Sequence, residues 1–394
     1  MQHRITVLGA GYAGTFAAGY LARHLDRDDF RITLVNAEPD FVERFRLHQV
    51  AAGQTLKHRP LADIFAGTGV RIELGRVTAV DADGKTVVID DGNRLDALEY
   101  DTLVYSLGST VADHGVPGVG EHAFHIASRP AALRLRDRLD ALCGNGTVLW
   151  VGGNLTAIEG ATEIAESHPG LKVVLATSGE LGGWLGPKAR RHLLRAFDRF
   201  GIEVHEHAPV DRVEAGGAHT AHGFLASDAT VWTAGFAVHP IAAASGLAVE
   251  ANGQITVDRQ MRSVSHPGVY AAGDAAFVIG ENGRPLPMSC ASAGFTSQQA
   301  TAAIIGDLTG RTVKRKGLVY VGNHISLGRK DAILQVVGGD VKTKGAMCGR
   351  TAAGIKNGIL TGATWGVANP TFGMPARRHG MAAPSVRAAE TVPA

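Results

Sequence analysis

Six residues near the start of the chain, Gly9-Ala10-Gly11-Tyr12-Ala13-Gly14, have the types and spacing to receive a pyrophosphate. Gly9 permits a tight turn, Gly11 lets bare backbone approach the phosphates, and Gly14 lets the next helix pack closely on its strand. The helix start then offers N–H groups and the positive end of its dipole to the phosphate charge. Ala10 and Ala13 complete this candidate cofactor loop with small side chains. A second loop, Gly152-Gly153-Asn154-Leu155-Thr156-Ala157, repeats the pattern imperfectly. Alanine in its third place is commonly accepted. Asparagine in its second place is a departure, because a side chain now stands where a pyrophosphate should meet backbone. Glu159 follows one turn into the next helix. It is either a first-turn acid favoured by the helix dipole or a group that positions a hydride donor.

The elements around these loops read as two similar units. Ile5–Leu8 is a β-branched strand run, residues 15–25 are helix-permissive, and Arg31–Val35 is the next strand. That strand ends at Asn36, where an acid would usually hold an adenosine ribose; Asn36 itself or Glu38 is the candidate for that bond. Thr147–Val151 and Lys172–Leu175 repeat the strands about 143 residues later. The second unit ends in Ala176-Thr177, with no ribose acid and no arginine for a 2′-phosphate. Short strands with Asp83-Gly84 and Asp91-Gly92 turns fill residues 70–105. Runs ending at Gly108 and Gly235 close the two units, and strand character returns over 255–279, with Val269-Tyr270-Ala271-Ala272-Gly273-Asp274. The expected fold is α/β, with two Rossmann-like dinucleotide-binding domains, the second inserted in the first, and a C-terminal α+β region. The expected bounds are 1–112 with 252–310, then 113–251, then 311–394.

Composition narrows the field. The chain has 394 residues, 45% of them apolar and 19% charged, which fits a multidomain globular protein. Its 51 glycines are about 13% of the chain, near twice the usual ~7%, and fit many tight turns. The net charge of +2 comes without a basic run, which argues against nucleic acid. Three scattered cysteines, with no CxxC or CxxxxC pair, argue against a redox dithiol and a zinc knuckle. Seventeen histidines without HxxxH or HExxH spacing imply no metal site. The start enters a strand at once, and no uncharged apolar run reaches 18 residues. The expected location is cytoplasmic, or the inner face of the membrane.

The order of these motifs resembles that of flavoproteins with two dinucleotide-binding domains, the pyridine nucleotide-disulfide oxidoreductase superfamily. With Phe45-Arg46-Leu47-His48-Gln49-Val50-Ala51-Ala52-Gly53 and no dithiol, the chain is similar to type II NADH dehydrogenases and their ferroptosis-suppressor relatives over about residues 4–370. The resemblance implies FAD bound by Gly9, Gly11 and Gly14, with Gly273 and Asp274 at its ribityl and phosphate part. Asp274 could accept from a hydroxyl beside helix-start amides, or simply cap a helix. The resemblance also places Arg46, Val77, Gly108 and Ala291 at the flavin cofactor. Gly152, Gly153, Asn154, Thr156 and Gly235 are implied at the nicotinamide cofactor, and Glu159 at the facing rings. His48 lies in the flavin-adjacent stretch, as a proton donor or a structural histidine.

The implied function is an FAD-dependent oxidoreductase in which NAD(P)H reduces the flavin and electrons pass to a quinone or another small acceptor. The alternative is a flavoenzyme that oxidises a specialised organic substrate directly, its nicotinamide site decayed. A flavin-stabilised binding protein without turnover is a third reading. The family's acceptor-pocket glutamines are missing from Met288–Ser297, and Gln298 and Gln299 follow it. Cys290, within that stretch, is expected to be a small buried residue. Gly354, Gly358, Gly362 and Gly366 form one helical stripe, which costs about 3–4 kcal/mol against alanine. Packing on the protein's own body, a homodimer contact or peripheral membrane contact would offset that cost.

Overall fold

The computed structural model describes residues 1–313, 317–320, 322–337, 343–373 and 377–382. Its N-terminal strand, His3–Leu8, is wholly buried from Ile5 inward and apolar there except for Thr6, as suits a strand covered on both faces. It is parallel to Phe30–Asn36 on one side and to Thr102–Tyr105 on the other. Arg71–Leu74 and Val269–Ala271 extend the sheet to five parallel strands. The last of these comes from beyond the whole second unit, so the chain leaves this sheet and returns to it.

The second sheet repeats the arrangement. Gly146–Val151 lies parallel to Leu171–Ala176 and Ala229–Trp232, with Glu203–His205 and Ala123–Phe124 outside them. Each sheet has a three-stranded antiparallel meander beside it: Arg76–Asp81 to Leu95–Glu99, and Val210–Glu214 to Gly223–Ala226. In the first meander the Asp83-Gly84 turn forms as expected, with Asp81 Oδ1 accepting from Gly84 N at 2.8 Å. Ser109–Val111 and Phe236–Val238 pair antiparallel and tie the two units together.

Each glycine loop leads into a helix, Tyr12–His24 and Leu155–Ser167, in the order strand, loop, helix, strand. Strand character over 255–279 takes the form of short strands, Ile255–Thr256, Val269–Ala271 and Ala276–Phe277, with isolated bridges at Val257, Arg262, Ser263 and Ile279 between turns. The C-terminal region adds strands Gly322–Ser326, Ala332–Val337 and Thr343–Cys348, then the helix Arg350–Ala368.

That helix corrects the expectation that its glycines pack on the protein's own body. All four lie on the exposed side, and a Cβ on any of them would meet nothing within 4 Å. The buried side is carried by Ala352, Lys356, Thr364 and Val367. Ile355, Ile359 and Trp365 are exposed beside the glycines, with Trp365 edge-on to Phe372.

Candidate active site

A cleft of about 1230 Å³ opens between the two sheets and the C-terminal helix. Both glycine loops reach it. In the first loop the three glycines divide their work as the steric argument requires. Gly9 has φ +89°, and a Cβ there would lie 2.6 Å from the Ser106 carbonyl oxygen. A Cβ on Gly14 would collide with the Gly9 carbonyl oxygen. Gly11 lines the cleft and has open space where its side chain would be. Two glycines therefore close the turn against the sheet, and the third leaves its backbone bare. Ala10 and Ala13 line the cleft beside Gly11.

Asn36 holds this loop in place. Its Oδ1 accepts from Ala10 N at 2.8 Å, and its Nδ2 donates to the Glu38 carbonyl at 2.7 Å. With its amide engaged on both sides, Asn36 is a brace for the loop, and Glu38 is the exposed acid at the cleft wall.

Across the cleft, Gly273–Ala275 is one 3-10 turn, so Asp274 opens no α-helix of its own; the helix beside it is Cys290–Thr309, whose first residue is near enough to feel its charge. The Gly273 amide is used internally, donating to Thr296 Oγ1 at 2.9 Å. Asp274 caps no helix: its Oδ2 accepts from Ser109 Oγ at 2.6 Å and lies 3.8 Å from Arg44 Nη1. Arg44 Nη2 also donates to Ser109 Oγ at 3.0 Å. Gly108, with φ +70°, brings the chain past Arg44. Gly108, Gly273, Asp274 and Ala291 all line the cleft.

In the second loop, Gly152 has φ +129° and would place a Cβ 2.9 Å from the Thr233 carbonyl oxygen. Gly153 abuts Thr177. Neither lines the cleft; Asn154, Thr156 and Gly235 do. Asn154 is the N-cap of Leu155–Ser167. Its Oδ1 accepts from Ala157 N at 3.1 Å, and its Nδ2 donates to the Thr233 carbonyl at 2.6 Å. The departure from glycine thus fills an amide that would otherwise face a phosphate.

Glu159 enters the cleft, but not as a free carboxylate. Its Oε1 forms an ion pair with Lys356 Nζ and accepts from Ser326 N at 2.9 Å. Lys356 Nζ also donates to Ser326 Oγ at 2.8 Å. Burial pushes the Glu159 carboxyl up, but Lys356 and the neighbouring His48 more than reverse this and hold it below the usual range. His48 is buried, lines the same cleft, and has an Nε2 with no hydrogen-bond partner among the described residues. Burial holds its pKa below the ordinary value, so its imidazole is neutral near pH 7.

Three expectations are corrected. Arg46 turns away from the cleft: its guanidinium lies 3.3 Å from Glu43 Oε2 and donates to Asn357 Oδ1 and Thr361 Oγ1 at 3.2 and 3.3 Å. It ties the N-terminal unit to the C-terminal helix. The Val77 side chain is in the hydrophobic core, and its neighbour Arg76 forms the cleft wall. Cys290 is exposed to the cleft. The surrounding protein and the Asp274 carboxylate push its thiol up to about 12.

Sequence reasoning missed Arg44, Ser109 and Lys356. Lys356 carried one signal: it is the single lysine of a helix without acids. Asn154 carried another, because asparagine is among the preferred N-caps.

The first loop suits a dinucleotide such as FAD. Gly11 leaves a bare cradle, and Asp274, Ser109 and Arg44 offer an acceptor and donors for hydroxyl and phosphate groups across the cleft. The second loop suits a second dinucleotide less well, with one amide already taken.

Residues 3–300 match the profile of the pyridine nucleotide-disulphide oxidoreductase family. The chain belongs to that family and is an oxidoreductase of the NADH dehydrogenase-like kind. An NADH dehydrogenase-like protein of Mycobacterium tuberculosis is 28% identical over 356 residues, covering 84% of this chain and 87% of that one. A type II NADH:quinone oxidoreductase of Staphylococcus epidermidis is 26% identical over 396 residues, covering 92% and 96%. Among solved structures, NDH2 from Plasmodium falciparum in complex with NADH overlays with a TM-score of 0.77 at 14% identity, over 95% of this chain and 100% of that one. The sulfide:quinone oxidoreductase of Aquifex aeolicus overlays at 0.76 and 20% identity, over 93% and 92%. These likenesses bear out the resemblance and the two-domain fold read from the motifs.

Proposed function

We propose that the protein is an FAD-dependent oxidoreductase that takes electrons from NAD(P)H and passes them to a quinone or another small acceptor. The observation that carries this is that both glycine loops open on one cleft, with Gly11 bare in the first. FAD, when bound, supplies a two-electron carrier that can accept hydride from a nicotinamide and return electrons to an acceptor. Residues 1–112 and 252–310 form the FAD-binding domain, 113–251 the nicotinamide-binding domain, and 311–394 a region for interface or membrane-surface contact. No described helix is long and apolar enough to cross a membrane.

In this scheme the backbone of Gly9–Gly14 and the start of Tyr12–His24 hold the pyrophosphate. Glu38 takes the adenosine ribose, and Asp274, set by Ser109 and Arg44, takes a ribityl hydroxyl. The cleft-facing part of the second loop, Asn154 to Thr156, with Gly235 opposite, would hold the donor. Lys356 keeps Glu159 ionised and fixed on its helix, so the carboxylate limits where the donor ring can settle. His48 offers a neutral Nε2 for hydrogen bonding to an acceptor oxygen.

A direct oxidation of an organic substrate, with the nicotinamide site decayed, is favoured by Asn154 and by Thr177 at the end of the second unit's strand. The test is turnover: FAD-loaded protein is given NADH or NADPH with a quinone and, separately, a water-soluble dye. Nucleotide oxidation that depends on the acceptor supports the proposal. No oxidation with either donor and either acceptor rejects it in favour of direct substrate oxidation.

A further inference from the structure

Trp184 is the odd tryptophan of the fold. Trp150 and Trp232 are buried at 0% and 2% exposure, and Trp365 lies on the C-terminal helix outside the cleft. Trp184 is 40% exposed and lines the cleft itself. Its exposure is not that of a loose loop. Leu181 and Leu185 on either side are buried in the second unit's core. Leu181 N donates to Glu206 Oε1 at 2.7 Å, and Arg190 Nε donates to the Leu181 carbonyl at 3.1 Å. Gly186 N donates to Gln335 Oε1 at 2.8 Å. Both ends of the segment are anchored, and the indole between them is left facing the cleft. Its Nε1 reaches the Gly153 carbonyl at 3.4 Å, which sets the ring beside the second glycine loop.

The segment follows the Leu171–Ala176 strand, the side on which an acid usually holds the adenosine ribose. Here that strand leads into Thr177, with no acid or arginine there. An aromatic face binds any base by stacking and is indifferent to the ribose 2′ position. We propose that Trp184 is a specificity-determining residue that stacks on the adenine of the dinucleotide donor, in place of a ribose clamp. The donor is then chosen by its base, and NADH and NADPH bind with similar affinity. This rests on the donor reading above.

The test uses FAD-loaded protein, so that the first glycine loop is already filled. Tryptophan fluorescence and calorimetry follow binding of NADH, NADPH, ADP-ribose and nicotinamide mononucleotide. The expected result is quenching by the three adenine-bearing probes and none by nicotinamide mononucleotide. Trp184→Ala should weaken ADP-ribose about five- to 150-fold, the range of one base–aromatic stack. Trp184→Phe should keep most of the affinity, because it retains a ring and loses only the contact with Gly153. Equal losses in both variants would assign the effect to that contact and overturn the proposal. Native binding that Trp184→Ala leaves unchanged overturns it too, as does a strong native preference between NADH and NADPH. If the native protein binds none of the probes, the donor reading itself fails, and the inference with it.

Discussion

Replacing Asn154 with glycine restores the second loop's missing glycine and separates two ways in which asparagine could weaken a donor. The side chain occupies the Ala157 amide at 3.1 Å and the Thr233 carbonyl at 2.6 Å. Removing it frees one N–H at the helix start for a phosphate oxygen. One restored polar contact is worth about 1–2 kcal/mol, so the Kd for NADH should fall about 5- to 30-fold. The cost in stability is small: asparagine to glycine at an N-cap loses a few tenths of a kcal/mol, and the lost Thr233 bond about 0.5–1.5 kcal/mol. Asn154→Ala distinguishes competition from bulk. It also frees the amide but keeps a Cβ, at a capping cost of about 1 kcal/mol. If competition for the amide is the cause, alanine should gain nearly as much affinity as glycine; if bulk is the cause, glycine alone should gain. Anaerobic titration of the yellow protein with NADH, beside thermal melts of all three proteins, reads both effects. A Kd that neither variant lowers would refute the reasoning.

Further expectations follow from the same contacts. Gly11→Val should abolish or sharply weaken FAD binding while leaving the melting temperature of the flavin-free protein nearly unchanged, since its Cβ meets nothing there. Gly14→Ala should instead destabilise the flavin-free fold, because its Cβ strikes the Gly9 carbonyl. Glu159→Gln should slow flavin reduction without releasing FAD. It should also cost about 3–5 kcal/mol of stability by leaving Lys356 unpaired, well beyond the ~1 kcal/mol of a mere dipole partner. Lys356→Met with Glu159→Gln should recover much of that stability but not the rate; if the rate returns as well, Glu159 has no part in placing the donor. Stability should fall as pH drops from 7.5 to 5.5. His48 is held below its ordinary 6.5, so the unfolded chain takes up the proton that the folded protein resists. His125, His239 and His324 are lowered by burial too and act in the same direction. His48→Gln should therefore flatten the slope only in part, and an identical slope would contradict the burial of a neutral imidazole. The Glu159 carboxyl, also depressed, should add its loss only as pH falls below about 4.5.

The framework was legible because its constraints are local. A strand that turns into a helix over a pyrophosphate needs Gly9 and Gly14 for backbone clearance, and those two contacts appear as the spacing requires. The repeat at Gly152 was legible for the same reason, down to the alanine in third place. What Asn154 does was half legible: its type announced a helix cap, while its place in the fingerprint drew attention to obstruction. The Glu159–Lys356 pair was not legible. Its partners are 197 residues apart, and nothing in a local window says which face of the C-terminal helix turns inward. The glycine stripe pointed to the wrong face for that reason, since small residues fit close packing and open solvent equally well. Arg46 failed in a similar way. A guanidinium can reach in several directions, and two acceptors on a distant helix drew it away from the cleft. Cys290 looked buried by type, but it opens the helix that borders the cleft.

The central claim, that one cleft joins a flavin to a nicotinamide donor, is tested most directly by anaerobic mixing. The purified protein, loaded with FAD, is mixed with NADH and separately with NADPH in the absence of any acceptor, and the flavin absorbance is followed. Bleaching by both donors, reversed when an acceptor is admitted, is the predicted result. Flavin that stays yellow at saturating concentrations of both, in native protein and in Asn154→Gly alike, would contradict it.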